Sequence, residues 1–381
     1  MTVLMVTERY LPIWGGAENQ LRQLAKLLVE QNCDAEIVTR RWRRDMSRDE
    51  IIDGIPVCRV GVPGAGPLAS LVFVLSLLAF LLHRRRRYRV IHSHGAANMG
   101  ALIAFSALLS DAATVAKVAT AGRIPRLYRT PIGRVLLFLL KRVDKIVCMS
   151  QEILDELNAV GVESARIAHI QNGVDGERFC PATEIERAAW RAERGLPETA
   201  VIVVFSGRLV QRKGVDVLID AWERIDAVRN DAHLFLLGSG TDQPDSVESE
   251  ILESVRSRKI ANVYFEGDVP APEDYLNVAD IFAFPSRREG FPNALLEGMA
   301  AGTAAVASRI GGNEDLIAND DTGILFDPDD VVALADALRS LIVYSAKRKT
   351  MATRGRAYVL EHNALSVIAR EYTLLYTRLV G

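Results

Sequence analysis

"AVIVVFSGRLVQRKGVDVLIDAW", residues 200–222, decides the fold. It opens on an unbroken apolar run of strand length that ends near Ser206. A turn follows that carries Arg208 and Lys213, and a helix starts at Gly214 or Val215. A continuous apolar strand handing over to a helix is the unit of a parallel sheet covered on both faces.

The same alternation runs outward in both directions. Downstream, "AHLFLLGSG", "NVYFEGDV", "ADIFAFPS", "TAAVAS" and "TGILF" read as strands with helices between them. Upstream, "TVLMVT", "AEIVTR", "IPVCRVGV", "RVIHSH", "ATVAKVAT" and "DKIVCMS" do the same. Residues 16–31 place Ala17, Leu21, Leu24 and Leu28 on one helical face. Between the two series, "HIQNGVDGERFCP" (169–181) is turn-rich and reads as a linker. A chain of 381 residues is too long for one ordinary core. The expected architecture is α/β, with two doubly wound Rossmann-like domains facing each other across a cleft. The first spans 1–178 and the second 179–362. A last helical segment, 363–381, is expected to pack back on the first domain.

Composition is that of a globular protein, about half hydrophobic and a quarter charged. The net charge of −2 is unevenly spread: residues 1–180 carry 24 Lys/Arg against 17 Asp/Glu, and residues 181–381 carry 22 against 31. Either the first half meets an anionic partner, or large solvated surfaces happen to differ. Four scattered cysteines without a Cys-x-x-Cys indicate neither a disulfide framework nor a zinc site, as in a reducing compartment. The N-terminus enters an apolar strand at once, so no signal peptide is expected. The run 67–82, followed by Arg84 to Arg87, falls short of the roughly 20 residues needed to span a bilayer. It is either a core helix with a charged end or a helix lying at an anionic interface.

Two motifs are set aside. "GAGPLA" (64–69) has the form of a dinucleotide fingerprint, but no acid follows before Asp111 to bind a ribose. "DPD" (327–329) reads as the turn and first acids of the helix after it, not as a metal pair. Three others converge on a phosphorylated ligand. Arg208 and Lys213 at a strand's carboxyl end can embrace a diphosphate. Gly15 and Gly16 in "PIWGGAENQL" leave backbone N–H groups open to an anion at a helix N-terminus. In "REGFPNALLEGMAAG" (288–302), a helix starts near Pro292 or Asn293, with Glu289 before it and Glu297 a turn inside. Carboxylates are acceptors only and suit paired hydroxyls.

Together with "GGAE" (15–18), "NGVD" (172–175), "GRLVQRKG" (207–214), "GSG" (238–240), "FEGDV" (265–269) and "GGNEDLI" (311–317), these stretches run in family order over nearly the whole chain. The set resembles glycosyltransferase family 4, whose members share the GT-B fold. The resemblance implies that Arg208 and Lys213 hold a donor diphosphate, that Glu297 binds the nucleotide ribose, and that Glu289 contacts the transferred sugar. Backbone groups of Gly290, Phe291, Asn293 and Leu295 would surround the phosphate and sugar. The base would lie near Val269, and Gly15 and Gly16 would close the site from the other domain. Many members carry a histidine where this chain has Ala119 and Thr120. Glu18, His94, Lys117, Thr120 and Arg123 are the residues expected on the acceptor side.

The implied reaction is retaining transfer of a hexose-type sugar from a UDP- or GDP-linked donor, with Arg208, Lys213 and Glu289 as the catalytic set and no metal or other cofactor. The expected acceptor is a glycan or a lipid-linked or phosphorylated alcohol of cell-envelope polysaccharide assembly. The expected location is cytoplasmic, on an anionic membrane surface reached through 67–89, and no nucleic acid is expected as partner. Two other readings stand beside it: a nucleotide-sugar epimerase or hydrolase on the same architecture, and a non-catalytic nucleotide-sugar-binding subunit.

Overall fold

The computed structural model describes every residue except 14, 96, 108–110, 226–230 and 242, and leaves out the side chains of 97, 98, 106 and 107. Contacts divide the chain into two units, Met1–Gly173 with Leu365–Gly381, and Val174–Ala364. The first boundary thus falls ahead of the expected 178/179, because Val174 N–H donates to the Asn363 carbonyl at 2.8 Å and joins the second unit. The second falls at 364/365 instead of 362/363.

The first unit is built on β1 (Thr2–Thr7), β2 (Asp34–Arg40), β3 (Asp49–Ile52), β4 (Ile55–Val60), β5 (Val90–Gly95), β6 (Ala113–Val118), β7 (Lys145–Cys148) and β8 (Ile167–His169). Their order is β3-β4-β2-β1-β5-β6-β7-β8. The expectation of a wholly parallel sheet is corrected at one edge, where β3 runs antiparallel to β4. Asp53 and Gly54 turn the chain between them with φ of 51° and 78°, the positive pair that a two-residue hairpin requires. β3 has only four residues, two acids followed by two isoleucines, too short a pattern for the sequence alone to mark it. β1 and β5 are neighbours, so strand order reverses between them, and that is where open α/β sheets bind ligands.

Among the described residues, five helices of eight or more residues lie between the strands of this unit: α1 (Gly16–Glu30), α2 (Pro67–His83), α3 (Ala97–Ala107), and, after the short α4 (Arg123–Tyr128), α5 (Pro131–Leu140) and α6 (Gln151–Ala159). Successive strand residues point to opposite faces. On one face Leu4, Val6 and Ile91 meet Phe73, Leu77, Ile103, Leu137 and Ile153 of α2, α3, α5 and α6. On the other, Val3, Met5 and Val90 meet Leu21 and Leu24 of α1, and Ile368, Tyr372 and Tyr376 of the terminal helix Leu365–Val380. The run 67–82 forms α2. Ala69, Phe73, Leu77 and Leu81 are buried while Leu68, Leu71 and Leu75 are exposed, so only one side of it is core. Among the described residues no helix is long and apolar enough to cross a membrane.

The second unit holds β9 (Val201–Ser206), β10 (Ala232–Leu237), β11 (Val263–Gly267), β12 (Ile281–Phe284), β13 (Ala304–Ser308) and β14 (Gly323–Phe326). They run parallel in the order β11-β10-β9-β12-β13-β14. This is the doubly wound 3-2-1-4-5-6 pattern, and its switch point lies between β9 and β12. Its helices are α7 (Glu184–Glu193), α8 (Val215–Arg224), α9 (Glu248–Ser257), α10 (Glu273–Leu276), α11 (Asn293–Ala300), α12 (Gly311–Glu314), α13 (Val331–Val343) and α14 (Ser345–Asn363). The buried strands pack against Val215, Leu218, Ile219 and Trp222 of α8 and Leu334, Leu338 and Leu341 of α13. Each such side chain contributes about 1.5–3 kcal/mol by leaving water. After "DPD", Asp330 caps α13 by accepting the Ala333 N–H at 2.9 Å, while Asp329 receives Arg287 at 2.7 Å.

Candidate functional site

Two loops of the second unit leave the sheet side by side at its switch point, one after β9 and one after β12. The first carries Arg208, then a 3-10 turn over Gln211–Lys213, then Gly214 at φ 66°. A Cβ on Gly214 would stand 2.0 Å from the Pro285 carbonyl oxygen, so this turn can press against the second loop only without a side chain. Arg287 fastens the two loops. Its N–H donates to the Arg212 carbonyl at 2.8 Å, and its guanidinium grips Asp216 at 2.6 and 3.0 Å and Asp329 at 2.7 Å. None of these roles for Arg287 is visible in the spacing of the sequence.

The fastened loops bring Lys213 and Glu289 together, Nζ to Oε1 at 2.5 Å, with both side chains close to nine-tenths buried. Burial pulls the Lys213 pKa below its ordinary value, the Glu289 carboxylate pulls it back up, and Arg208 and Arg212 lower it further. The ammonium also stands 4.9 Å from the Phe284 ring centroid. Arg208 is exposed and donates to the Gln243 side-chain oxygen at 2.7 Å. Three cations within electrostatic reach of one another, one of them paired with a carboxylate, favour an additional anion.

Just beyond Glu289, α11 begins. Pro292 stands at its N-cap without a side-chain hydrogen bond, and the helical ladder opens with Leu296 N–H donating to the Pro292 carbonyl at 3.0 Å. The preceding turn of N–H groups, at Ala294 and Leu295, is the part of a helix that receives anions. Phe291 and Leu295 are buried, Gly290 and Asn293 partly so. Gly312, from "GGNEDLI", backs this turn: a Cβ there would meet Pro292 Cδ at 3.0 Å and the Phe291 Cα at 3.5 Å. Beneath it Asn313 Nδ2 donates to the Ser308 carbonyl at 2.8 Å, and Ser308 Oγ donates to the Ser286 carbonyl.

Glu297 lies one turn into α11. Its carboxyl keeps a narrow opening to solvent, yet the surrounding protein is dense enough that burial pushes its pKa up to about 7. Arg178 opposes that rise and Glu273 adds to it. Arg178 and Glu273 form a two-pronged pair, both contacts 2.8 Å, which holds the guanidinium within electrostatic reach of Glu297. The sequence reading missed both. Their partners lie 95 residues apart in the chain, and no local pattern links them. Val269 follows β11, where Asp268 accepts both the N–H and the hydroxyl of Ser239 at 3.0 and 2.8 Å. The "GSG" and "FEGDV" motifs therefore meet side by side.

The first unit holds the remaining expected residues near its own switch point. Gly15 caps α1 in extended backbone, and Glu18 in the first turn curls back so that its Oε2 fills the place a Gly15 side chain would take. Gly15 and Gly16 are exposed. His94 pairs in register with Thr7 on β1 and Lys117 on β6. It is buried, its ring lies 4.0 Å from that of His92 at a 40° tilt, and its Nε2 has no hydrogen-bond partner among the described residues. Burial, then His92 and Lys117, hold its pKa well below the ordinary range, so the ring is neutral. Lys117 donates to Asn172 Oδ1 at 2.7 Å beneath the Tyr372 ring, and burial brings it down to about 7. His92, Asn172 and Tyr372 thus complete a buried polar cluster that the sequence showed only as His94 and Lys117. Thr120 and Arg123 do not join it: both are exposed on the turn that starts α4, where Gly122 takes φ 74°.

Comparison with known proteins agrees with this geometry. A family profile described as Glycosyltransferase Family 4 matches residues 14–178, and one described as Glycosyl transferases group 1 matches 200–343. A D-inositol 3-phosphate glycosyltransferase of Corynebacterium urealyticum is 30% identical over 367 residues, covering 89% of this chain and 85% of that one. A GDP-mannose-dependent monoacylated alpha-(1-6)-phosphatidylinositol monomannoside mannosyltransferase of Corynebacterium glutamicum is 32% identical over 227 residues, 57% of this chain and 58% of its own. The Anabaena protein Alr3699/HepE, solved with UDP and glucose, superimposes with a TM-score of 0.80 at 20% identity, over 98% of this chain and 99% of that one. The chain is a glycosyltransferase of GT-B fold and belongs to glycosyltransferase family 4, the group 1 glycosyltransferases.

Proposed function

We propose that this enzyme transfers a hexose from a uridine or guanosine diphosphate sugar to a hydroxyl of a phosphorylated or lipid-linked acceptor, at the inner face of a membrane. The observation that carries the donor half is the buried Lys213–Glu289 pair, set beside Arg208 and the open N-terminus of α11 where β9 and β12 diverge. An incoming diphosphate offers Lys213 a stronger anion than a lone carboxylate. Freed from the ammonium, Glu289 accepts from sugar hydroxyls in this reading, and Glu297, one turn deeper, accepts from the ribose. As the anomeric bond breaks, charge grows on the leaving diphosphate, and the cations and helix N–H groups aimed at it stabilise that charge. Departure and attack on the same face of the sugar retain configuration, the reading that family membership favours. The positive charge at the site comes from this chain's own side chains, and turnover is proposed to need no metal.

The acceptor half is supported by the relatives, whose names specify an inositol phosphate in one case and a phosphatidylinositol mannoside in another. A basic first half of the chain suits either. Epimerase, hydrolase and binding-subunit readings have no observation here that favours them.

A thermal-shift screen of nucleoside diphosphate sugars identifies the donor, since a ligand at 100 times its dissociation constant stabilises by about 2.7 kcal/mol. With that donor, Lys213→Ala is expected to lower kcat on the order of a hundred- to a thousandfold, and a chelator to leave kcat unchanged. Full turnover by Lys213→Ala would overturn the reading.

A further inference from the structure

Among the described residues, seventeen large hydrophobic side chains are exposed, and nine of them stand on one helical layer of the first unit: four on α2, three on α5, one each on α3 and α4. α2, α3 and α5 pack on the same face of the sheet, so their outward sides form one surface. Leu68 is 73% exposed and Ile132 76%, and Leu71, Leu75, Val135 and Phe138 are all more than half exposed. These are not stray surface residues. On α2 the buried positions Ala69, Phe73, Leu77 and Leu81 leave a second apolar stripe facing outward, where an ordinary surface helix would carry charge.

On α2 to α5 the charge is almost all of one sign, while the neighbouring α6 carries Glu152, Asp155 and Glu156. Residues 54–143, which contain all four helices, hold thirteen Lys and Arg against a single acid, Asp111. Arg85 and Arg86 are exposed at the end of α2, and Arg126, Arg129 and Arg134 are exposed along α4 and α5. Arg84 and Arg87 are held by Glu36, which leaves Arg85, Arg86, Arg126, Arg129 and Arg134 as the cations beside the apolar stripe. An apolar stripe bordered by exposed arginines fits an anionic lipid surface, where side chains enter the acyl boundary and guanidinium groups meet headgroups. A second copy of the chain would bring the same cations to the same face, and like charges brought together oppose docking.

We propose that α2 and α5 together form a membrane-docking face for anionic lipid bilayers. Segment 67–89 supplies half of it, and the other half comes from α5 with its arginine-bearing lead-in, more than forty residues later in the chain. The proposal takes its purpose from the lipid-borne acceptor argued above, but its geometry is independent of that reading.

Flotation of the full chain with vesicles tests it, in physiological salt, using equal parts phosphatidylcholine and phosphatidylglycerol against phosphatidylcholine alone. The protein is expected to float with the anionic vesicles only. Ile132→Asn with Phe138→Asn, and separately Leu71→Asn with Leu75→Asn, should each weaken binding about tenfold or more. Arg85→Glu with Arg86→Glu should do the same. All six positions are exposed, so melting temperature and donor binding should stay as in wild type. Wild-type flotation by the α5 variant, equal flotation with neutral vesicles, no flotation at all, or a lipid-free dimer that these substitutions dissociate would each overturn the proposal. Loss of turnover with flotation intact would count against the functional reading and leave this face standing.

Discussion

Glu297 offers a prediction whose size follows from the structure. Burial pushes its carboxyl to about 7, so with that value it is about one-tenth ionised at pH 6 and about nine-tenths at pH 8. Two ribose hydroxyls need an acceptor-only group, which the ionised form supplies and the neutral acid does not. If the donor selects the ionised form, affinity rises about tenfold from pH 6 to pH 8, equivalent to about 1.4 kcal/mol. The diphosphate of a nucleotide sugar is esterified at both ends and does not titrate in this window, which makes it a cleaner probe than the free nucleotide. Isothermal titration at pH 6, 7 and 8 should show that tightening for wild type and a flat, weaker profile for Glu297→Gln. Stability moves the opposite way. The unfolded carboxyl ionises near 4.5 and the folded one near 7, so the native state binds more protons between them and loses stability as pH rises through that window. Glu297→Gln should remove that loss. A pH-independent wild type, or a Gln variant that keeps the tenfold change, would refute the assignment of the ribose to this carboxylate.

Gly214→Ala should destabilise the second unit by at least about 2 kcal/mol, a fall of roughly 4–8 °C in Tm, because the new methyl collides with the Pro285 carbonyl at a positive φ. A melting curve matching wild type would show that the two loops are not held as described. Lys117→Met should fold as well as wild type, since the buried ammonium has a neutral amide partner. Its donor affinity should be unchanged and its acceptor KM raised, and steady-state kinetics with an unaltered acceptor KM would remove Lys117 from the acceptor side.

Most of the fold was legible because parallel strands buried on both faces spell themselves as apolar runs. β9, β12 and β13 are such runs, and each lies inside the stretch that the sequence marks. What escaped lacks that signature: β3 has four residues, two of them acids, and β8 has three, and neither has a fully buried residue. The site divides the same way. Lys213, Glu289 and Glu297 could be singled out because each sits at a strand end or helix start with glycine or proline beside it. Arg178, Glu273, Arg287 and Asp268 could not, because their roles arise from contacts between distant loops. Arg178 and Glu273 meet only in the folded chain, across 95 residues of sequence. Thr120 is expected on the acceptor side because it stands where many family members carry a histidine, and Arg123 because it lies near that position. Both are exposed after β6, where the chain leaves the sheet, apart from the buried cluster of His94 and Lys117.

The most direct test of the central claim is a crystal structure of the protein with the nucleoside diphosphate sugar selected by the thermal-shift screen. The account predicts phosphate oxygens within hydrogen-bonding distance of Lys213 Nζ, Arg208 and the N–H groups of Ala294 and Leu295, with the Lys213–Glu289 contact of 2.5 Å broken in favour of the diphosphate. A nucleotide bound elsewhere, or bound here with the Lys213–Glu289 pair intact and its phosphates in solvent, would contradict it.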